Sequence, residues 1–352
     1  MKKLRNLVVV ATSITLIGAA CTNNTTTTTT IGNWVKRSAF DGNGRMGAVS
    51  FVIGDTAYVA TGYDGTIRYS DLWAYDAVAD QWSQRAIMPV TASPRNGGVG
   101  FAIGNKGYVA TGYDGINKLQ DNWEFTATTN TWAKKANLPD PANGAMGSGA
   151  RYGAVGFGIG AKGYICSGYT GSHQKDLWEY DNNADVWTQK GSMPTSDKRQ
   201  GAVALVYANK AYIVSGTNNG VMTSEMAMYD PAGNSGAGSW IKLRDIANIS
   251  TDAFDDAYTS IVRSNAVGFV IGSKGYLATG QNGSNTVNVW EYDFTPGVDL
   301  WTAKTNFERS ARNSAVGFSV KGRGFVGLGT NSTYYYDNLD EFKPDEAYNA
   351  ND

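Results

Sequence analysis

The chain has 352 residues, of which 43 are Gly, 20 Tyr, 12 Phe and 10 Trp, and its formal charge is −1. That balance excludes a nucleic-acid partner, which needs a basic face. One His and two Cys exclude a histidine-built metal centre and a disulfide framework.

Residues 1–20 read as a secretory signal peptide, and Lys2, Lys3 and Arg5 supply its basic start. The apolar run LVVVATSITLIGAA is too short for a spanning helix, which needs about 20 residues. It stops at Cys21, and Gly18-Ala19-Ala20-Cys21 resembles the lipobox of bacterial lipoproteins, with Gly18 where Leu is usual. The resemblance implies lipidation of Cys21 and an exported chain held at the outer membrane, periplasmic or at the cell surface, by acyl chains alone. The alternative is a plain signal peptide with an incidental Cys. Residues 21–32, with TNNTTTTTT, have nothing apolar to bury and read as a tether. Without the three leader cations the charge falls to −4.

Residues 33–343 are repetitive. Copies open on Arg45, Arg95, Arg151, Arg199, Arg263 and Arg312, at intervals of 50, 56, 48, 64 and 49 residues. In the third copy AVGFGIG and YICSGY alternate apolar and small residues, DLWEYD follows a loop, and Trp187 closes the unit. Such alternation between Gly, Asn and Asp turns predicts four antiparallel strands. A lone sheet of this size leaves both faces wet, so each must pack on its neighbours.

The Arg, the aliphatic strand, the Gly-Tyr strand, the Trp-x-Tyr-Asp strand and the closing Trp resemble the kelch repeat, with Thr-Gly or Ser-Gly (Thr61-Gly62, Ser167-Gly168) in place of Gly-Gly. The resemblance implies an all-β protein, a six-bladed propeller with four antiparallel strands per blade. The sixth copy ends near Phe342 without its closing Trp, and NWVKRSAF around Trp34 matches the missing piece. The N-terminal strand is therefore expected to complete blade six, leaving 344–352 as a C-terminal tail.

In that fold the loops entering strand 1 and joining strands 2 and 3 surround one mouth of the central channel. The six arginines are candidates for a ligand-binding ring selective for carboxylates, or for locks between blades. Tyr63, Tyr113, Tyr169 and His173 stand in the loops between strands 2 and 3 of blades one to three, while blades four to six offer TNNG, QNGS and TNST. An aromatic platform beside Asn suits a glycan or a peptide. Longer loops at 140–150 and 244–262 fall on the same side, and Asp252, Asp255 and Asp256 could hold Ca²⁺, though such clusters are more often solvated loop. Kelch homologues are often labelled after galactose oxidase, but its copper site needs more His than this chain has. The expectation is a monomeric, non-catalytic binder of a protein segment or glycan, with no catalytic residue, cofactor or metal. Alternatives are a mutarotase resembling the periplasmic kelch enzymes that act on sialic acid, and a structural subunit of an envelope assembly.

Overall fold

The computed structural model describes residues 31–140, 149–196 and 198–352; the leader, Cys21 and the tether up to residue 30 lie outside them. Each repeat forms one four-stranded antiparallel sheet. Blade one consists of Val49–Ile53, Thr56–Ala60, Leu72–Asp76 and Gln81–Gln84. Blade three consists of Val155–Ile159, Lys162–Cys166, Leu177–Asp181 and Val186–Lys190. Blades four and five carry an extra two-stranded ribbon between strands 2 and 3, at Thr217–Met222 and Gln281–Asn285.

Burial explains the composition. Six apolar clusters fill the six interfaces between blades. Phe51 and Tyr58 of blade one meet Trp123 and Phe125 of blade two, and Val316, Phe318 and Phe325 of blade six meet Tyr75 and Trp82 of blade one. Within a blade the first two strands stack aromatic on aromatic, as with Phe101 on Tyr108 at 5.0 Å and Phe157 on Tyr164 at 5.2 Å. The Gly of the Lys-Gly-Tyr strand exists for the neighbour's ring. A Cβ on Gly107 would lie 2.0 Å from the Phe51 ring, and one on Gly163 2.2 Å from Phe101.

The chain ends close the circle as expected. Ile31–Arg37 pairs antiparallel with Leu339–Ala347 and becomes the outer strand of blade six, with Trp34 opposite Phe342. Their rings are 4.7 Å apart, and Trp34 also meets Phe307 at 4.9 Å. The third strand of blade six runs to Ala347, past the boundary at 343 expected from sequence, and Asn33 holds the end of the chain through Asp352 at 2.5 Å.

Cys166 is fully buried in strand 2 of blade three, and burial pushes its thiol up to about 12. In a Cys21→Ser protein, where Cys166 is the sole thiol, a thiol-reactive dye at pH 8 is expected to label the unfolded chain quickly and the folded chain not at all within an hour. Rapid native labelling would contradict this packing.

Candidate functional site

The six repeat arginines do not line the mouth. Arg45, Arg95, Arg151, Arg199, Arg263 and Arg312 are all 0–1 % exposed, and their guanidinium groups point into their own blades. Arg95 Nη1 and Nη2 take both oxygens of Asp121 at 2.5 and 2.8 Å, and Nη1 also donates to the Thr111 carbonyl at 3.1 Å. Arg151 repeats this on Asp176 at 2.8 and 2.9 Å and on the Ser167 carbonyl at 2.8 Å. Arg45 does so on Asp71 and Thr61. Arg199 lies 3.7 Å from Glu225, and Arg312 donates to Asn338 Oδ1 at 2.8 Å.

The carbonyl each arginine holds belongs to Thr61, Thr111, Ser167, Ser215, Thr279 or Leu328, all left-handed at φ 57–63°. That conformation is strained for β-branched and bulky residues. In every blade the buried guanidinium pins this strained turn, which explains why Arg recurs six times, and in blades one to three a bidentate carboxylate holds it in place. Of the two roles expected for these residues, ligand ring and lock between blades, their burial speaks against the first, and their partners lie within the same blade, so they act as braces inside each blade.

The braces position the rim. The residue two places after each arginine donates its N–H to the same residue of the preceding blade. Gly97 bonds to Gly47, Gly153 to Gly97, Gly201 to Gly153, Asn265 to Gly201, Ser314 to Asn265, and Gly47 to Ser314, all at 2.8–2.9 Å. This closed ring circles the axis with every member in the left-handed region, φ 52–64°. Beside it lies a central cavity of about 190 Å³, lined by the starts of the six inner strands. Ser50 carries the one polar side chain of that lining, which is otherwise Ala, Gly and Val, so the lining of this cavity offers no acid–base side chain.

On the rim, the residue following each arginine is bridged to the residue after the strand 2 Gly: Met46 to Tyr63, Asn96 to Tyr113, Tyr152 to Tyr169, Gln200 to Thr217, Ser264 to Gln281 and Asn313 to Thr330. Blades one to three are thus aromatic, and four to six carry amides and hydroxyls. The expected Tyr63, Tyr113 and Tyr169 come together with three residues that sequence reasoning missed, Arg68, Tyr152 and Tyr335. Tyr335 stands 6.2 Å from Tyr63. Arg68 lies between the Tyr63 and Tyr113 rings at 4.5 and 5.1 Å, and donates to Asn96 Oδ1 at 2.8 Å. Tyr113 meets Tyr152 at 5.7 Å, and Tyr152 meets Tyr169 at 5.5 Å. Blade six, read from TNST as lacking an aromatic, contributes Tyr335 through the bridge between it and Thr330.

His173 ends the arc, 5.2 Å from Tyr169. It is buried, and burial lowers its imidazole below the ordinary value against an opposing Asn219 contact, so at neutral pH it is uncharged. Asp64 and Asp114 sit at the turns of the arc. Burial pushes both carboxyls up, but hydrogen bonds outweigh it, from Tyr69, Ile67 and Thr66 to Asp64 and from Asn117 and Ile116 to Asp114, and hold both below the usual carboxylate range.

The 244–262 insertion is packed down by Ile246, Tyr258 and Ile261 into the core between blades four and five. Asp255 turns inward and accepts the Ile249 and Ser250 N–H groups at 3.1 and 2.9 Å, so it staples the loop. Among the described residues no three Asp, Glu, His or Cys side chains converge as metal ligands would. Most of the other insertion, 141–148, lies outside the described residues.

Six sheets radiating from one axis, each completed on the same register, define a six-bladed β-propeller. A kelch motif matches residues 44–89, which hold the brace and all four strands of blade one. With that pattern repeated in the other five blades, the chain is a kelch-repeat β-propeller. The solved structure of YjhT superposes with a TM-score of 0.66 at 16 % identity, covering 85 % of this chain and 95 % of that one. No curated protein matches the chain. A likeness at that identity fixes the fold, and function has to be argued from the rim.

Proposed function

We propose that the protein is a non-catalytic binding module whose rim takes a glycan, presented at the cell envelope by a lipid on Cys21. The observation that carries the reading is the unbroken arc from Tyr335 through Tyr63, Arg68, Tyr113 and Tyr152 to Tyr169, half-buried and therefore preset. Rigid aromatic rings offer apolar faces at little cost in conformational freedom, and Asn96, Gln200 and Asn313 beside them supply amides for hydroxyl groups. Asp64 and Asp114, held ionised by their hydrogen bonds, are weak proton acceptors at neutral pH, which favours binding over the mutarotase alternative.

The test is a glycan array probed with the purified protein, followed by calorimetry on the strongest hit. Tyr113→Ala combined with Tyr152→Ala is expected to weaken capture by about tenfold or more, equal to about 1.4 kcal/mol, with Tm changed little. Equal capture by wild type and double variant would remove the arc as the site.

A further inference from the structure

Blade four departs from the repeat on one face of its two outer strands. Three places after the closing Trp the other five blades carry a cation, Arg37, Arg85, Lys135, Lys190 or Lys304, and blade four carries Leu243. Opposite the strand 2 aromatic, blades two, three, five and six place Glu124, Glu179, Glu291 and Glu341, and blade four places Met228. Those glutamates are paired: Lys106 reaches Glu124 at 2.7 Å, Lys304 reaches Glu291 at 3.3 Å, and Arg37 and Arg323 hold Glu341. Ile241, the register partner of Met228, stands where blades three and five have Thr188 and Thr302. Blade one also lacks the Glu, at Ala74, but keeps Ser83 and Arg85 beside it.

The exchange leaves a hydroxyl without its acceptor. Tyr108, Tyr164 and Tyr276 donate to Glu124, Glu179 and Glu291 at 2.6–2.8 Å. Tyr212, their counterpart opposite Met228, is 7 % exposed and has no hydrogen-bond partner among the described residues. Burial, with the charges of Asp299 and Asp230, holds its hydroxyl above the ordinary tyrosine value, so at neutral pH it is a donor. A buried donor left unmade is costly, and a ligand that accepts from it recovers that cost.

Blade five supplies the facing wall. Its two Trp residues, Trp290 and Trp301, are 11 apart against nine in blades one to three, and the longer turn holds Thr295-Pro296-Gly297. Between Tyr212, Met228, Ile241 and Leu243 on one side and Tyr292, Phe294 and this turn on the other lies a cavity of about 340 Å³. Ile241 and Pro296 are exposed, so the space opens to solvent. Charges at its edge are already engaged: Lys210 with Asp230, and Asp299 with the Tyr292 hydroxyl and the Arg244 N–H, both at 2.9 Å. A dry cavity of about 150 Å³ with apolar walls admits one benzene ring, so this one has room for two fused rings. Apolar walls with one convergent polar group are the usual make-up of a small-molecule pocket.

We propose that the cleft between blades four and five binds a small uncharged compound with two fused aromatic rings, whose carbonyl oxygen accepts from Tyr212. The rings lie against Met228, Ile241, Leu243 and Phe294, and the carbonyl takes the place that Glu124, Glu179 and Glu291 hold in their own blades. Asp299 and Asp230 nearby disfavour an anion. The site lies at the end of the blades away from the rim and is independent of the tyrosine arc.

The experiment is a fluorescence titration of the purified protein with Prodan, an uncharged naphthyl ketone whose emission moves to the blue in apolar surroundings. Acetylnaphthalene is expected to displace it, and naphthoate, the anionic match, to need at least about tenfold more. Met228→Glu combined with Leu243→Lys restores the pattern of the sister blades and is expected to weaken Prodan binding at least about tenfold with Tm held. Ile241→Lys, at an exposed position that the core does not need, is expected to do the same. Tyr212→Phe is expected to lose about threefold or more, the worth of one hydrogen bond. The Tyr113→Ala/Tyr152→Ala protein is expected to bind Prodan like wild type, so failure of the arc reading leaves this one standing. No blue shift with the wild type, or unchanged affinity either in Tyr212→Phe or in both lining variants, would overturn the proposal.

Discussion

Arg151→Ala is expected to destabilise the whole ring by about 3–5 kcal/mol, the usual cost of removing one partner from a buried ion pair. Asp176 would be left with the Trp178 Nε1–H, and the left-handed Ser167 carbonyl would lose its donor. Total stabilities of folded domains run to about 5–15 kcal/mol, so the loss is a large share and should lower Tm by on the order of 10 °C. Arg68→Ala, on the rim, is the contrast: it should cost under about 1 kcal/mol because that cation is solvated and held by rings and one amide. Thermal unfolding followed by circular dichroism separates the two. A fall of less than about 2 °C for Arg151→Ala would mean the guanidinium is not a brace. The bracing also has a pH signature. Burial pushes Asp121 up, but Arg95 and Trp123 more than offset it and hold the carboxyl below its ordinary value. A depressed carboxyl contributes stability that is present above its unfolded pKa and lost as pH falls through its folded one. The Arg95–Asp121 pair should thus contribute in full at neutral pH and lose its contribution as pH falls below the ordinary Asp range.

The second large effect concerns closure. Trp34→Ala is expected to cost about 3–5 kcal/mol through the cavity left between Phe307, Phe342 and Phe269. Removing residues 31–38 altogether strips blade six of its outer strand and leaves the Leu339–Ala347 edge unpaired, an invitation to association between copies. Light scattering after size exclusion should show the truncated protein as oligomer or aggregate and the intact chain as monomer. A monomeric truncated protein with native Tm would show that blade six does not need the strand.

Much of this architecture was legible because its signals are local. Strand alternation, the Gly-Tyr strands and the closing Trp residues each report one blade, and the likeness of NWVKRSAF to the piece missing from the sixth copy placed the closing strand. The arginines were left between ligand ring and lock because their fate depends on a residue about 25 positions away. Asp71, Asp121 and Asp176 sit at the head of the strands noted only for their Trp, and that Asp, recurring in step with the Arg, was the available signal. The tyrosine arc was half visible. Tyr63, Tyr113 and Tyr169 follow the strand 2 Gly, but Tyr152 joins them only through cross-strand bridging that no spacing in the chain reveals, and Tyr335 only through a turn of blade six.

Ile31 and Ala347 are register partners in one sheet, so the first and last strands of the ring meet a strand's width apart. A linker of a few residues between them would turn blade six into an ordinary continuous blade, and the break in the backbone could then be moved to a hairpin such as Gly160-Ala161. For this ring the order in which the blades are threaded is incidental: a permuted chain contains every brace, every interface and the same rim.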